Sequence, residues 1–322
     1  LSFPSTLSEE TSPIFGHDVL GDLDNDLILN YAKPNEAAIG PRIIVHGRVL
    51  DEMGRGVPGA LLEFWQANAG GRYRHKKESY QAALDPNFGG CGRTITAADG
   101  SYSFRTIQPG PYPWPNGMND WRPAHIHFSV FGHGFAQRLI TQMYFEGDPH
   151  IKLCPIVATL KSQAAIDALI APLDESPSQT AGPYVHIGCT PNFTGLNVYA
   201  RDLGTSMKTG PVQGKEIVIK GIVYDGTGTP LRDAMIEIWQ PDSAGLFASA
   251  NERRGQADPN FTGWGRSPGD MDTGEFTFET VKPGAVPFPD GRMQAPHITA
   301  WIVARGINIG LHTRMYFEDE AE

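Results

Sequence analysis

The sequence has few of the features that mark secreted, membrane or nucleic-acid-binding proteins. Its 322 residues include three cysteines, an odd number without CxxC spacing, which argues against a disulfide framework or a thiolate metal site. No stretch approaches the roughly 18 to 20 apolar residues that span a bilayer, and the first residues do not resemble a signal peptide. The net charge of −10 is the wrong sign for gathering phosphate backbones. We therefore expect a soluble, cytoplasmic protein that binds neither nucleic acid nor membrane.

Helical periodicity is almost as scarce as cysteine. The 37 glycines and 26 prolines fall between short β-branched and aromatic runs, a pattern typical of an all-β sandwich. Strands are predicted over residues 42–50, 60–66, 101–106, 125–131 and 139–145. One helix is predicted where Ile166, Leu169, Ile170 and Leu173 follow helical spacing, with Ser162 as its cap. Residues 1–41 are polar and turn-rich, so we expect an arm that lies over the surface.

The second half of the chain repeats the first. GRVLDEMGRGVPGALLEFWQ, which begins at Gly47, is answered by GIVYDGTGTPLRDAMIEIWQ, which begins at Gly221. Later segments agree, with LDPNFGGCGR matching ADPNFTGWGR and IQPGPYPWPNG matching VKPGAVPFPDG. Self-similarity of this length predicts two homologous β-sandwich domains, over residues 1–175 and 176–322, with long loops and few helices.

The repeat also works as an internal control, because both copies must solve the same folding problem. The second copy shares a framework of Trp, Gly and Pro positions with the first but replaces three of its polar aromatic side chains. The matched positions are Tyr73 with Phe247, Tyr112 with Val286, His125 with His297, and His127 with Thr299. Tyr73, Tyr112 and His127 are therefore not required by the fold, which favours a role in chemistry. His297 is the first histidine of a site that has otherwise decayed.

These side chains predict a metal site in the first half. His125 and His127 point to the same face of a predicted strand, since side chains alternate along it. A tyrosine has a pKa of about 10 and becomes phenolate only beside a strongly polarising cation, so two tyrosines and two histidines suit Fe(III) best. Zinc usually takes Cys, His and carboxylate, and non-haem Fe(II) takes two His and one carboxylate; neither set is visible.

The motifs GGRYRH around Tyr73, PGPYPW around Tyr112 and RPAHIHF from Arg122 resemble those of the intradiol ring-cleaving dioxygenases. In that family, catalytic and non-catalytic subunits are related sandwiches, and the two halves of this chain look like one of each. The resemblance implies non-haem Fe(III) held by Tyr73, Tyr112, His125 and His127. It also implies a small aromatic dihydroxy acid and O₂ as substrates, and an oligomer of such paired units.

Roles for further residues follow from the same resemblance. Tyr112 would also accept a substrate proton, Arg122 would stabilise charge on the ring, and Gln142 would lie near the reaction. Residues that would line the substrate pocket are Trp114, Ile156, Gly182, Pro183, Tyr184 and Arg305, the last of them facing the substrate carboxylate. Simpler interpretations stay open: Arg122 as a surface residue of a loop, Gln142 facing solvent, and Trp114 and Ile156 serving only in packing.

Two other functions remain open at this point. The same iron site could cleave catechol or hydroxyquinol, although such relatives usually carry an N-terminal helical region that is not seen here. Alternatively, the chain could be a tandem sandwich used only for binding, which predicts colourless, iron-free protein. Relative to the family, we also expect some chain to be missing before Leu1 and after Glu322.

Overall fold

The computed structural model describes residues 6–114, 120–170, 184–304 and 310–319, and in them the predicted all-β class is confirmed. The strands are β1 (Arg42–Arg48), β2 (Leu61–Gln66), β3 (Cys91–Ile95), β4 (Ser101–Ile107), β5 (Tyr112–Pro113), β6 (Trp121–Arg122), β7 (His125–Phe131), β8 (Arg138–Tyr144), β9 (Glu216–Ile222), β10 (Met235–Trp239), β11 (Trp264–Pro268), β12 (Glu275–Val281), β13 (Val286–Pro287), β14 (Met293–Gln294), β15 (His297–Val303) and β16 (Leu311–Tyr316). Short α-helices are α1 (Leu7–Glu10), α2 (Gln163–Asp167) and α3 (Val185–Cys189). Single 3₁₀ turns lie at His17–Val19, Pro149–Leu153 and Val157–Thr159.

The two halves have the same sheet topology. The first contains a four-stranded sheet in the order β3-β2-β7-β8 and the pair β1-β4, and the second contains β11-β10-β15-β16 and the pair β12-β9. Each half also has a two-stranded ribbon, β5-β6 or β13-β14. All these strand pairs are antiparallel, and the predicted strands agree with β1, β2, β4, β7 and β8 to within two residues at each end.

The four-stranded sheet of the first half is buried on both faces. Alternation along β2 sends Phe64 to the inner face, where its ring stacks on Phe104 of β4 with centroids 3.7 Å apart. Trp65 points to the opposite face, into an apolar cluster shared with Val185 and Ile187 of α3. Since α3 belongs to the second copy of the repeat, the outer face of this sheet is covered by the other half of the chain.

A buried cluster of four charges joins the halves. Arg266 of β11 bonds Glu63 of β2 through both terminal nitrogens, at 2.7 Å each, and also bonds Glu237 of β10. Arg138 of β8 bonds Glu237 at 2.5 Å and lies 3.5 Å from Glu63. The two glutamates occupy equivalent positions, so each half contributes one carboxylate and one guanidinium, and the four charges cancel.

The N-terminal arm differs from its prediction. We expected it to lie over the surface, but Leu27 and Ile28 are buried in the sandwich core, and the Leu27 amide bonds the Arg105 carbonyl of β4. The prediction was wrong because short apolar pairs inside a polar segment give no periodic signal. Helix α1 crosses to the second half, where Ser8 bonds His297.

The helix predicted at the end of the first half is present in part as α2, which contains Ile166 but ends before Leu169, and the Ser162 hydroxyl caps it by accepting the Ala165 amide at 3.1 Å. The helix is one turn long, shorter than the pattern. Leu173 and the predicted boundary at residue 175 lie outside the described residues, so the division into domains stays a prediction. Within the described ranges, no helix has the length and apolar character needed to cross a membrane.

Candidate metal centre

Strand β7 places the two histidines. His125 and His127 lie on the same face of β7, opposite Tyr144 and Gln142 of the neighbouring strand β8. On the other side His127 pairs with Trp65 of β2, and the two rings stack with centroids 4.9 Å apart and planes within 2°. The tryptophan therefore fixes the plane of the second imidazole.

Two close-packed loops bring the tyrosines to the histidines. Tyr73 follows β2, and Tyr112 opens the β5-β6 ribbon, where it lies opposite Arg122. The loops touch at Gly71, which has φ of +78°; a Cβ there would lie 2.1 Å from the Pro111 carbonyl oxygen. Only glycine fits this contact, because it combines a left-handed backbone with no room for a side chain. The Tyr73 and Tyr112 rings consequently meet edge to face, 5.6 Å apart.

Donor atoms converge at one point. The Nε2 atoms of His125 and His127 are 3.2 Å apart, and the Tyr73 hydroxyl lies 3.4 Å from His125 Nε2. His125 Nδ1 lies 2.6 Å from the Pro123 carbonyl, so Nδ1–H donates to it and the lone pair stays on Nε2. This contact is what commonly orients a metal-bound histidine. Separations near 3 Å are those of neighbouring ligands that each lie about 2.1 Å from one cation.

Electrostatics also favour a cation at this point. Burial, followed by the Arg122 charge, lowers the pKa of His125 and His127 well below the usual range, so both imidazoles are neutral. Burial raises the pKa of Tyr112, and burial together with Tyr112 raises that of Tyr73 further. Two buried phenols with raised pKa values ionise only beside a strong positive charge. The donor set therefore fits a trivalent ion such as Fe(III).

Arg122 and Gln142 form a buried pair beside these donors. Arg122 is 2% exposed, its Nη2 donates to Gln142 Oε1, and the same nitrogen lies 3.3 Å from His125 Nε2. Both residues are thus buried at the site rather than facing solvent. Among the described residues no carboxylate pairs with Arg122, so its charge is directed at the tyrosines and at whatever binds beside them.

Residues predicted for the pocket wall are partly in place. The Tyr184 ring stacks on Tyr73 at 4.7 Å, and its hydroxyl donates to Glu78 at 3.2 Å. Trp114 lies 5.8 Å from the Arg122 guanidinium. Ile156 is half-buried and packs in the cluster that contains Tyr144. Three other predicted residues lie outside the described part of the chain: Gly182, Pro183 and Arg305.

Two residues at this site could not be singled out by sequence reasoning. Trp65, which stacks on His127, has a counterpart in Trp239, and Tyr144, whose hydroxyl donates to Gln142 Oε1 at 3.1 Å, has one in Tyr316. A residue present in both copies looks structural when the copies are compared. Strand alternation was the available signal, because it puts Tyr144 and Gln142 on one face of β8.

In the second half, other side chains occupy the position that corresponds to the donor set. His297 keeps its Nδ1 contact, 2.9 Å from the Ala295 carbonyl, but its Nε2 bonds the Ser8 hydroxyl at 2.8 Å. The arginine and glutamine have also exchanged places: Arg314 stands where Gln142 does and donates to Gln294, which stands where Arg122 does. Arg314 also donates a hydrogen bond to Glu9 of α1, so the N-terminal arm covers this position.

No other metal-binding cluster is present in the described ranges, where no group of three or more His, Cys, Asp or Glu has suitable geometry. A cleft of about 1200 Å³ lies between the N-terminal arm and the second half, walled by Phe15, Tyr199, Phe247 and Trp264. It contains none of the predicted site residues. The convergence of phenols and imidazoles on β7 is therefore the candidate site.

A family profile described as Dioxygenase matches residues 10–186 and 189–321, and the chain belongs to this family of intradiol ring-cleaving dioxygenases, whose members use non-haem iron.

Individual relatives match the chain over about half its length. The chain is 53% identical over 165 residues to the protocatechuate 3,4-dioxygenase beta chain of Burkholderia cepacia, which covers 51% of this chain and 69% of that one. It is 43% identical over 150 residues to the protocatechuate 3,4-dioxygenase alpha chain of Pseudomonas putida, covering 47% and 73%. A solved catechol 1,2-dioxygenase from Acinetobacter sp. ADP1 is 26% identical with a TM-score of 0.34, and the chain spans 48% of its length.

Proposed function

We propose that this protein is a non-haem Fe(III) dioxygenase that cleaves protocatechuate (3,4-dihydroxybenzoate) with O₂ to 3-carboxy-cis,cis-muconate, a step of aromatic catabolism. The observation that carries the proposal is the convergence of two phenols and two neutral imidazoles beside one buried arginine. The similarity to a beta chain and an alpha chain named for this substrate supports it.

Four residues would hold the iron: Tyr73, Tyr112, His125 and His127. Bound Fe(III) would supply a Lewis acid that takes both catechol oxygens and draws electron density from the ring. The protein fixes the donors beforehand, through the Pro123 carbonyl on His125, Trp65 on His127, and the Gly71 contact between the tyrosine loops. Little reorganisation is then needed when substrate binds.

Tyr112 would accept a proton from a substrate hydroxyl. Burial raises its pKa, so its phenolate oxygen is a stronger base than an ordinary tyrosinate once it is free to take a proton. Arg122 lies opposite Tyr112 in the ribbon, and its charge opposes that rise in pKa. Proton acceptance by Tyr112 is therefore coupled to the position of the arginine.

Arg122 would stabilise negative charge as it develops on the ring. The guanidinium stays protonated, is buried, and is held by Gln142 close to His125 Nε2, so it acts without reorientation or titration. Gln142 uses its carbonyl oxygen to hold the arginine, because Arg122 can only donate.

The second half would complete the substrate pocket. Tyr184 already contacts Tyr73 from that half, and Gly182, Pro183 and Arg305 are proposed to line the carboxylate end of the substrate. A cation there would distinguish protocatechuate from catechol. We accordingly assign residues 1–175 to the catalytic domain and 176–322 to the pocket-completing domain, in an assembly of several such chains.

The test begins with the colour and iron content of the purified protein. We expect about one iron per chain and a tyrosinate-to-iron absorption band, both lost in Tyr112→Phe. Tyr102→Phe is the matched control, since Tyr102 is a half-buried tyrosine away from the donors whose ring packs on Phe128. Colourless, iron-free protein that stays so after loading with iron would contradict the proposal and favour a binding function.

Substrate choice is tested by O₂ uptake. Protocatechuate is expected to give the highest kcat/KM, with catechol and hydroxyquinol as comparison substrates. Arg305→Ala should raise KM for protocatechuate without changing iron content. A higher kcat/KM for catechol or hydroxyquinol would leave the class of chemistry intact and replace the substrate.

A further inference from the structure

Tyr144 has contacts that its position in the sequence did not predict. It ends strand β8, lies opposite His125 in the sheet, and is fully buried. Its ring centroid is 5.9 Å from that of His125, at 68°. The backbone N–H bonds the Leu169 carbonyl at 2.7 Å, and the ring packs among Cys154, Val157 and Leu169. The phenol therefore has one fixed orientation.

The hydroxyl of Tyr144 holds a neighbouring amide in place. It donates to Gln142 Oε1 at 3.1 Å, and the same oxygen accepts Nη2 of Arg122. An amide has one acceptor oxygen and one donor nitrogen. If the amide were flipped, its nitrogen would face the Arg122 donors, and the hydrogen bond between Gln142 and the guanidinium would be lost. The Arg122 donors thus exclude the flipped amide, and the Tyr144 hydroxyl ties the amide in place by a second bond to the same oxygen.

We propose that Tyr144 is a positioning residue for ring cleavage, which holds the Gln142 amide so that Arg122 stays beside His125. The inference rests on the proposed function and adds to it a third member of the Arg122 and Gln142 pair. Tyr144 itself reaches the reaction only through Gln142.

The second half shows the same tyrosine without this arrangement. Tyr316 lies opposite His297 in the equivalent register but is 60% exposed. Beside it stands Arg314 instead of a glutamine, and the Tyr316 hydroxyl bonds that arginine rather than an amide oxygen. Tyrosine at this position therefore does not require burial, and a buried tyrosine bonded to an amide oxygen is found in the half that has the donor set.

The kinetic test is Tyr144→Phe, which keeps the ring and its packing. Loss of one hydrogen bond to the amide should lower kcat about fivefold to tenfold, with KM and iron content within twofold of wild type. In a Gln142→Leu background the same change should lower kcat less than twofold, because there is no amide left to orient. Tyr316→Phe is the matched control and should change nothing. An unchanged kcat in Tyr144→Phe, or equal effects in both backgrounds, would overturn the inference.

A second measurement separates this inference from the proposed function. In iron-free protein, the melting-temperature loss caused by Tyr144→Phe should shrink by at least half when Gln142 is already Leu, since the two groups share one bond. Equal losses in both backgrounds would refute the contact. If wild-type protein cleaves neither protocatechuate nor the comparison substrates, the proposed function fails, while this cycle still decides whether Tyr144 holds Gln142.

Discussion

The buried four-charge cluster between the halves makes a quantitative prediction about stability. Arg266→Met removes its central cation and replaces it with an apolar side chain of similar length. Arg266 is fully buried and donates at 2.7 to 2.8 Å to Glu63, to Glu237 and to the Cys189 carbonyl. After the change, Glu63 retains one cation, Arg138, at 3.5 Å, and the cluster carries one uncompensated negative charge.

The expected loss follows from that stranded charge. Breaking a buried pair by removing one partner costs about 3–5 kcal/mol, because the remaining ion is neither hydrated nor paired. Adding Glu63→Gln restores neutrality and leaves only an unpaired amide, which costs about 1–3 kcal/mol. The double variant should therefore be about 2 kcal/mol more stable than Arg266→Met alone.

The assay is urea unfolding followed by tryptophan fluorescence, and Trp264 is a suitable probe because the Arg266 guanidinium lies 5.1 Å from its ring. Arg292→Met is the control: it breaks an ion pair with Asp290 whose side chains are exposed, and should leave the curve unchanged. The reasoning is refuted if Arg266→Met costs under about 1 kcal/mol, or if adding Glu63→Gln lowers stability further.

Three further outcomes are expected. Gly71→Ala should separate the tyrosine loops and reduce iron content at least fivefold, whereas Gly54→Ala, also at positive φ but with open space around it, should retain iron. Ser8→Ala should lower the free energy of unfolding by about 1–2 kcal/mol, because His297 Nε2 loses its partner, with iron content unchanged. Burial opposes the shift, but the charges of Arg138 and Arg266 lower the Glu237 pKa below 4.5. Stability that is present above pH 4.5 should therefore be lost as the pH falls through the pKa of the folded state, and urea midpoints measure this loss. Equal iron loss in both glycine variants, an unchanged unfolding curve for Ser8→Ala, or a urea midpoint that rises below pH 4.5 would contradict these expectations.

The fold was largely predictable because its signals are local. Alternating apolar runs such as those of β2 and β7, bounded by Gly and Pro, identify strands directly, and Ser162 identifies the start of α2. The repeat predicted that both halves share one topology. Burial of Leu27 and the crossing of α1 to the second half were not predictable, since tertiary contacts decide where a polar arm packs.

Three donors of the site, Tyr73, Tyr112 and His127, were also predictable, because the second copy keeps the scaffold around them but replaces all three. Contacts that the copies share were hidden from that comparison. Trp65 and Tyr144 have counterparts in the second half, so their roles at the site depend on neighbours that only the structure shows. Tyr184 was expected in the substrate pocket, but its stacking on Tyr73 was not predicted.

The second half separates what the fold requires from what the chemistry adds. The Ala295 carbonyl still orients His297, as the Pro123 carbonyl orients His125, so this contact belongs to the strand and not to iron. What the second half lacks is the set of three other donors, and the lone pair left on His297 Nε2 is satisfied by Ser8. A buried imidazole nitrogen without a hydrogen-bond partner would destabilise the fold. The Ser8 hydroxyl on α1 supplies that partner in the half that lacks the other three donors. Rebuilding a metal site there would therefore require displacement of the arm as well as new ligands.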